Sequence, residues 1–149
     1  MANLTNNFDD SAMIALLPTT SWWCEIELPH MTLAYAGKIA DLNQVDHNAM
    51  VKTCLDLALT CYSIELVVLG HEVFGDEEQV DVLRLRSDPD VLALYSQLKH
   101  WDDGSHPFNP HVTVGPVGTI QDPEKIPDSI QFDRIAVAWG DSVLPYKLL

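Results

Sequence analysis

Two histidines, each followed two positions later by a threonine, are the residues of this sequence best suited to chemistry. The first pair is His30 and Thr32, and the second is His111 and Thr113. Both copies fit the pattern Pro-His-φ-Thr-φ-x-x-x-Gly, in which φ is apolar, and the two histidines lie 81 positions apart (111 − 30). Such a repeat, with one copy in each half of the chain, predicts two lobes that face each other across a shared cleft.

Paired imidazoles and hydroxyls suit the displacement of an oxygen at phosphorus. An imidazole has an unperturbed pKa of about 6.5, so it can take or give a proton near neutral pH. With His30 and His111 on opposite sides of a phosphate, one takes the proton of the attacking water and the other protonates the leaving oxygen. Thr32 and Thr113 would hold the non-bridging oxygens, where negative charge develops. The sequence leaves open which histidine is the base, and this chemistry requires no metal or other cofactor.

The two segments 30–33 (His-Met-Thr-Leu) and 111–114 (His-Val-Thr-Val) resemble the paired motifs of the two-histidine (2H) phosphoesterase superfamily. This resemblance implies an α+β, bilobal fold, in which two antiparallel sheets with outer helices surround a central cleft that carries both His-x-Thr motifs. It implies a single domain of two pseudo-symmetric lobes over residues 1–149. The superfamily also includes compact viral members that degrade the cyclic oligonucleotide signals of bacterial defence.

The elements that must position the motifs can be predicted from the hydrophobic pattern. Successive side chains on a strand point to opposite faces, so His30 and Thr32 share one face while Met31 and Leu33 point to the other. Gly37 is expected to end this first motif strand. Helices are predicted from Asn43 to Cys61, where apolar residues recur at spacings of three and four, and from Ser87 to His100. Further strands are predicted over residues 12–18, 62–74, 79–86 and 132–139, and the run 67–69 is expected to be well buried.

Four aromatic residues are candidates for contacting a nucleotide. Trp22 and Trp23 lie in a predicted loop, where they would cover one end of the cleft. Phe108 lies three positions before the second histidine and would line the groove. Tyr35 lies five positions after the first histidine, so on a regular strand it would face away from the catalytic side. Arg84, Arg86 and Lys38 could supply a cation for the phosphate, although charged residues on strands usually belong to a solvated face.

Composition narrows the class of substrate. The chain has 22 acidic and 8 basic residues, a formal net charge of −14. Tight binding of long nucleic acids depends on neutralising many phosphates with Lys and Arg, so this balance speaks against such a partner. A small nucleotide or a cyclic oligonucleotide, held in a local site, is the expected substrate: a 2′,3′-cyclic phosphate, a 2′–5′ linkage or a cyclic oligonucleotide. The sequence does not indicate the oligomeric state.

The cysteines and the N-terminus bear on location. The three cysteines, Cys24, Cys54 and Cys61, are odd in number and lack CxxC spacing, which favours reduced thiols in a cytoplasm. Cys54 and Cys61 are expected in the core. Residues 1–10 do not resemble a signal peptide, and no run of about 18 apolar residues predicts a membrane span. The expected location is therefore the cytoplasm, or the host cytoplasm for a viral protein.

Two other classes of function remain open. A metal site would take its ligands from four histidines: His30, His100, His106 and His111. The sequence has neither HxxxH nor clustered cysteines, and threonine is a poor zinc ligand. A non-catalytic nucleotide-binding protein is the second alternative, although both motifs retain their histidine and threonine. His47 is expected to be exposed on the first helix, and His71 to have a structural role.

Overall fold

The computed structural model describes residues 10–149, and this part of the chain contains seven strands and two α-helices. The strands are β1 (Ser11–Pro18), β2 (Met31–Lys38), β3 (Ile64–Phe74), β4 (Val80–Leu85), β5 (His111–Pro116), β6 (Ser129–Trp139) and β7 (Ser142–Lys147). The helices are α1 (Gln44–Thr60) and α2 (Pro89–Leu98). The predicted α+β class is therefore confirmed. The expectation about a signal peptide falls mostly on residues 1–9, which lie outside the described residues.

All strand pairs are antiparallel, and the strands follow the order β2-β1-β6-β3-β4-β5, with β7 added beside β6. β3 belongs to both lobes, since its residues 64–67 pair with β6 and its residues 68–74 pair with β4. The two predicted sheets are thus two halves of one array joined through β3. β2 and β5 stand at opposite ends of this order, yet they contact each other. The array therefore curls until the two motif strands meet.

A single main core anchors both motif strands. Buried side chains of β1, such as Ile14 and Leu16, pack with residues of both helices in this core. The motif strands add their alternate residues Met31, Leu33, Val112 and Val114. Burying a side chain of this size stabilises the fold by about 1.5–3 kcal/mol. Each His-x-Thr pair is consequently carried on a strand that is fixed from behind by apolar packing.

The first helix begins where the sequence predicts. The Asn43 side chain accepts a hydrogen bond from the Asp46 backbone N–H (3.0 Å), and the Asp46 carboxylate accepts one from the Asn43 N–H (2.9 Å). This reciprocal capping box satisfies two donors that the first turn cannot pair internally.

No helix in the described part of the chain has the length and apolar character to cross a bilayer.

Two local expectations are wrong, and a third differs by one residue. β2 ends at Lys38, one residue after Gly37, whose φ of 107° is one that L side chains rarely adopt. Val67 and Leu69 are exposed, because alternation along β3 puts them on its uncovered face, whereas Leu66 and Val68 pack on the core. His47 is half-buried, and its ring lies 4.8 Å from that of Trp139 in an edge-to-face contact.

Candidate active site

The fold brings the two His-x-Thr motifs together. His30 immediately precedes β2 and His111 is the first residue of β5. Both histidines and both threonines are half-buried, while the apolar residues between them are buried, as alternation along a strand requires. The rings lie close enough for the charge of His111 to lower the pKa of His30. The four motif side chains therefore share the space where the lobes meet.

The two imidazoles are held by the same kind of bond. His30 Nδ1 lies 3.2 Å from the Leu28 carbonyl oxygen, and His111 Nδ1 lies 2.7 Å from the Asn109 carbonyl oxygen. Each carbonyl belongs to the residue two positions earlier. A carbonyl can only accept, so Nδ1 carries the hydrogen in both rings and the neutral ring has its lone pair on Nε2. Nε2 is therefore the nitrogen through which each neutral ring can take a proton.

Burial lowers the pKa of both histidines. Removal of the ring from water is the main reason that the pKa of His30 falls from 6.5 to about 4, with the bond to Leu28 opposing the change and the charge of His111 adding to it. The pKa of His111 is also lowered by burial, against the opposing bond to Asn109. His30 is therefore unprotonated at neutral pH, which is the state that a general base requires.

The segment between β1 and β2 links the two motifs. The Glu25 N–H donates to the Val114 carbonyl oxygen (2.9 Å), and the Cys24 thiol lies 3.6 Å from the Thr113 carbonyl oxygen. Four residues later, Leu28 accepts the bond from His30. Burial raises the pKa of Cys24 to about 11, so this thiol remains protonated and is a poor nucleophile. Residues 24–30 therefore tie the edge of β5 to the start of β2.

A β-bulge changes the direction of Tyr35. Thr32 pairs with Ala15 of β1, and Tyr35 pairs with Met13. Three positions of β2 thus match two positions of β1, and the extra residue returns Tyr35 to the face occupied by Thr32. The expectation that Tyr35 faces away from the catalytic side assumed a regular strand, and it is wrong for this reason.

Tyr35 belongs to a small apolar cluster on the same face as Thr32. Met13 and Ala138 are buried there, with half-buried Leu28, Tyr35 and Val143 packed against them. The Thr32 hydroxyl lies 3.5 Å from the Met13 sulfur, and the Tyr35 hydroxyl lies 3.0 Å from the Ser11 hydroxyl. We call Met13, Leu28, Tyr35, Ala138 and Val143 the cleft-face cluster. It provides an apolar surface directly beside a predicted phosphate-binding hydroxyl.

The hairpin formed by β3 and β4 contributes three residues beside His111, of which the sequence had suggested only Arg84, as a cation for the phosphate. Arg84 pairs with His111 across β4 and β5, so the two side chains share a face. The Arg84 guanidinium donates to Glu72 of β3 (3.0 Å). The Phe74 ring lies 4.8 Å from the His111 ring in an edge-to-face contact. We call Glu72, Phe74 and Arg84 the hairpin wall; only the register between strands, which the sequence does not give, reveals it.

The other aromatic candidates lie elsewhere. Phe108 stacks on Tyr95 of α2, with ring centres 4.1 Å apart and an angle of 11° between the planes. Trp22, which is 70% exposed, and Trp23 line a groove of about 560 Å³ together with part of the loop 119–126. None of the four motif residues lines this groove. The structure thus brings Tyr35 to the motifs but not the other three.

The histidines of the metal alternative do not converge. The His100 ring lies beside Trp101, and His106 Nδ1 lies 3.0 Å from the Ser105 hydroxyl. Between residues 10 and 149, no three side chains of His, Cys, Asp or Glu are grouped so that they could hold a metal ion. The described donors therefore do not fit the alternative of a metal site.

Solved structures of low sequence identity share this fold. Usb1 of Kluyveromyces marxianus has a TM-score of 0.63 and 13% identity, over 94% of this chain and 99% of that chain. TT0787 of Thermus thermophilus has a TM-score of 0.61 and 14% identity, over 93% and 97%. E. coli LigT complexed with 3′-AMP has a TM-score of 0.58 and 15% identity, over 94% and 95%.

These likenesses identify the fold. No protein-family model and no curated protein matches the sequence. The chain has the fold of the 2H phosphoesterases, and the resemblance predicted from the two motifs is confirmed at this level.

Proposed function

We propose that this protein is a phosphodiesterase that hydrolyses a small nucleotide phosphodiester by acid–base catalysis between two histidines. The observation that carries the proposal is the matched pair of imidazoles, each held through Nδ1 by a carbonyl and each followed on its strand by a threonine of the same face. A solved phosphoesterase and LigT complexed with 3′-AMP share the fold, which supports a nucleotide substrate.

In the proposed reaction a water molecule attacks phosphorus while the bond to the leaving oxygen breaks. His30 takes the proton of the water, and His111 gives a proton to the leaving oxygen. Thr32 and Thr113 donate hydrogen bonds to the non-bridging oxygens as negative charge grows there. After one turnover His30 carries a proton and His111 lacks one, and exchange with solvent restores the starting state.

The assignment of base and acid follows from the two environments. The base must be unprotonated, and the pKa of about 4 keeps His30 in that state. The acid must carry a proton, and the shorter bond from His111 to its carbonyl, 2.7 Å against 3.2 Å for His30, stabilises the charged ring more strongly. We therefore assign His30 as the base and His111 as the acid.

The first test is a panel of substrates in excess chelator. It contains 2′,3′-cyclic mononucleotides, linear 2′–5′ and 3′–5′ dinucleotides, and cyclic di- and trinucleotides, and it compares the wild type with the His30→Ala/His111→Ala double variant. We expect chelator-resistant cleavage by the wild type alone. Cleavage restricted to cyclic oligonucleotides would support a viral, signal-degrading role in a host cytoplasm, and cleavage of 2′,3′-cyclic ends would support a role in RNA metabolism. No wild-type activity would favour the non-catalytic nucleotide-binding protein.

A second test separates the base from the acid. A phosphodiester with a p-nitrophenyl leaving group departs without protonation, so it needs the base and not the acid. His111→Ala should recover much of the wild-type rate on this substrate, whereas His30→Ala should remain inactive on both substrates. The opposite pattern would exchange the two roles, and equal loss on both substrates for both variants would argue against separate acid and base functions.

A further inference from the structure

The hairpin wall contains a cation, Arg84, which lies on the side of His111 away from β2. Arg84 is opposite His111 in the register of β4 and β5, and its guanidinium extends to Glu72 on β3. The phosphate that is cleaved would lie between the two histidines, where β2 and β5 meet. β3 lies two strand spacings, about 10 Å, from β5. The guanidinium therefore extends from β4 toward β3, away from the strand that carries His111.

The bonding of Arg84 is incomplete. Its Nη1 atom is bonded to Glu72, but its Nε atom is buried and has no hydrogen-bond partner among the described residues. A buried donor without an acceptor is costly, and guanidinium donors match the oxygens of a phosphate in pairs. Arg84 and Glu72 are both partly exposed, with 40% and 45% of their side-chain surface accessible. A phosphate that enters the cleft can thus compete with Glu72 for the guanidinium.

The hairpin also carries an aromatic ring close to His111. The half-buried Phe74 ring contacts His111 and belongs to the same hairpin as Arg84. Aromatic faces bind single-stranded bases by stacking, whatever the base. The chain carries a formal charge of −14 and repels anions, so a local cation is needed to attract them. The hairpin wall thus offers both an aromatic ring and a cation on the same side of His111.

We propose that Arg84 binds a second phosphate of the substrate, on the nucleotide next to the bond that is cleaved. This inference rests on the proposed function and narrows its substrate class. The preferred substrate is a phosphodiester flanked by a further phosphate, as in a cyclic oligonucleotide or an end-phosphorylated dinucleotide. A 2′,3′-cyclic mononucleotide lacks this second group and is a poorer substrate.

The experiment measures kcat/KM for three dinucleotides that differ in one group: one without a terminal phosphate, one with a 5′-phosphate and one with a 3′-phosphate. The wild type should prefer one of the phosphorylated forms by about tenfold to a hundredfold, the factor expected for hydrogen bonds to a charged group. Arg84→Ala should bring this ratio close to one. Arg84→Lys, which keeps the charge and most of the stem, should retain part of it.

Arg86→Ala is the matched control. Arg86 lies two residues further along the chain and is bonded to Asp88 (2.6 Å), so its removal changes the net charge equally without touching the hairpin wall. The control should keep the wild-type preference. In the wild type, the slope of log kcat/KM against log salt should be steeper by about 0.7 for the preferred phosphorylated substrate than for the plain one, the value for one phosphate contact on a single strand. Arg84→Ala should abolish this difference.

The outcomes separate the two proposals. Equal wild-type kcat/KM for all three dinucleotides overturns the role of Arg84 and leaves the proposed function intact. An equal loss of preference in Arg84→Ala and Arg86→Ala also overturns it, because the effect then comes from net charge. Failure of the wild type to cleave any phosphodiester in the earlier panel removes the proposed function itself.

Discussion

The two catalytic candidates resemble each other in bonding and differ in environment. Both imidazoles donate through Nδ1 to a carbonyl two residues earlier, and burial lowers the pKa of both. A base with a low pKa is unprotonated over a wide range of pH, whereas an acid with a lowered pKa loses its proton at a lower pH than an ordinary imidazole. In the proposed mechanism the two histidines therefore set both limits of the active pH range.

The pH profile of kcat/KM is a direct consequence. Activity should rise as His30 loses its proton near pH 4, and it should fall as His111 loses its proton below the ordinary imidazole pKa of 6.5. We expect a bell-shaped profile with a mildly acidic optimum, measured between pH 4 and 9 at constant ionic strength. Because the rings interact, the two limbs report the pair as a whole. An optimum above pH 8 would contradict this arrangement.

Tyr35 is the aromatic residue that the structure favours for contact with a base. If the ring stacks on a base, Tyr35→Ala should raise KM by about fivefold to a hundredfold, which corresponds to about 1–3 kcal/mol. Tyr35→Phe keeps the ring and should stay near the wild type. The measurement is steady-state kinetics, with thermal unfolding of each variant to correct for lost packing. Loss in Tyr35→Phe equal to that in Tyr35→Ala would assign the effect to the hydroxyl and its Ser11 contact.

The direction of the motif side chains was predictable from the sequence, and that of Tyr35 was not. Alternation between polar and apolar residues, a local property, gives the shared face of His30 and Thr32. The bulge before Tyr35 depends on how β2 aligns with β1, whose partner residues lie about twenty positions earlier. The position of the hairpin wall beside His111 was unpredictable for the same reason, because the register of β4 and β5 places Arg84 opposite His111.

Some helix and strand boundaries were predicted correctly and others were not. Boundaries set by neighbouring residues were predictable, whereas those set by pairing with distant residues were not. The first helix begins at its predicted cap because Asn43 and Asp46 satisfy each other within one turn. β6 begins at Ser129, three residues before the predicted start at Phe132, because its first residues pair with β3 from a distant part of the chain. The apolar run 67–69 was expected inside the core, but apolar character alone does not reveal that only one face of β3 is covered, so that every second residue is exposed.

The capping box permits a test at the level of one helix. Asn43→Ala removes the side-chain acceptor and should lower the free energy of unfolding by about 1 kcal/mol. Urea denaturation measures this change, and Asn48→Ala, in the next turn, is the matched control. Activity should be unaffected when both variants are folded, since neither residue contacts the motifs. A loss no larger than that of the control would mean that the cap bond is offset in the unfolded state.

A buried carboxylate fixes the loop that follows the second motif strand. Asp81 is 1% exposed and accepts bonds from the Gly118 and Ile120 N–H groups (3.0 Å each) and from His71 Nε2 (2.8 Å). Burial alone would raise the pKa of this carboxyl, but the bonds from Ile120, His71 and Gly118 outweigh it and hold the pKa below its usual range. The structural role expected for His71 is consistent with this contact.

Removal of that carboxylate should therefore be costly. Asp81→Ala leaves two backbone donors without their acceptor and should lower the free energy of unfolding by about 3 kcal/mol. Asp76→Ala, in the exposed turn between β3 and β4, should change it by less than about 0.5 kcal/mol. Chemical denaturation of both variants measures the difference. Equal stability of the two variants would show that water replaces the Asp81 bonds without cost.

The two lobes are connected at three places, and this couples the site to the stability of the whole molecule. β3 runs through both lobes, residues 24–30 join the edge of β5 to β2, and β2 contacts β5. The two histidines are partly removed from water where these parts of the fold pack together. For the single domain that we propose over residues 1–149, unfolding should occur in one transition that exposes both rings together.

This coupling determines how stability changes with pH. The pKa of His30 is about 4 in the folded protein, against about 6.5 when the chain is unfolded, and that of His111 is also lowered on folding. Below pH 6.5 the unfolded state therefore binds more protons than the folded state. The stability that these groups contribute is fully present above pH 6.5 and is lost as the pH falls toward 4, at up to about 1.4 kcal/mol per pH unit for each group.

The free energy of unfolding, measured in urea at intervals from pH 4.5 to 7.5, should accordingly rise with pH in the wild type. His30→Gln removes one titrating ring and should flatten this rise, whereas His106→Gln, the same change in an exposed loop, should leave it as it is. Carboxyl groups with a lowered pKa, such as Asp81, change the free energy of unfolding mainly below pH 4, outside the measured range. If the His30→Gln and wild-type curves stay parallel, the ring is not desolvated on folding. The low pKa on which the proposed role of His30 as the base depends would then lose its physical cause.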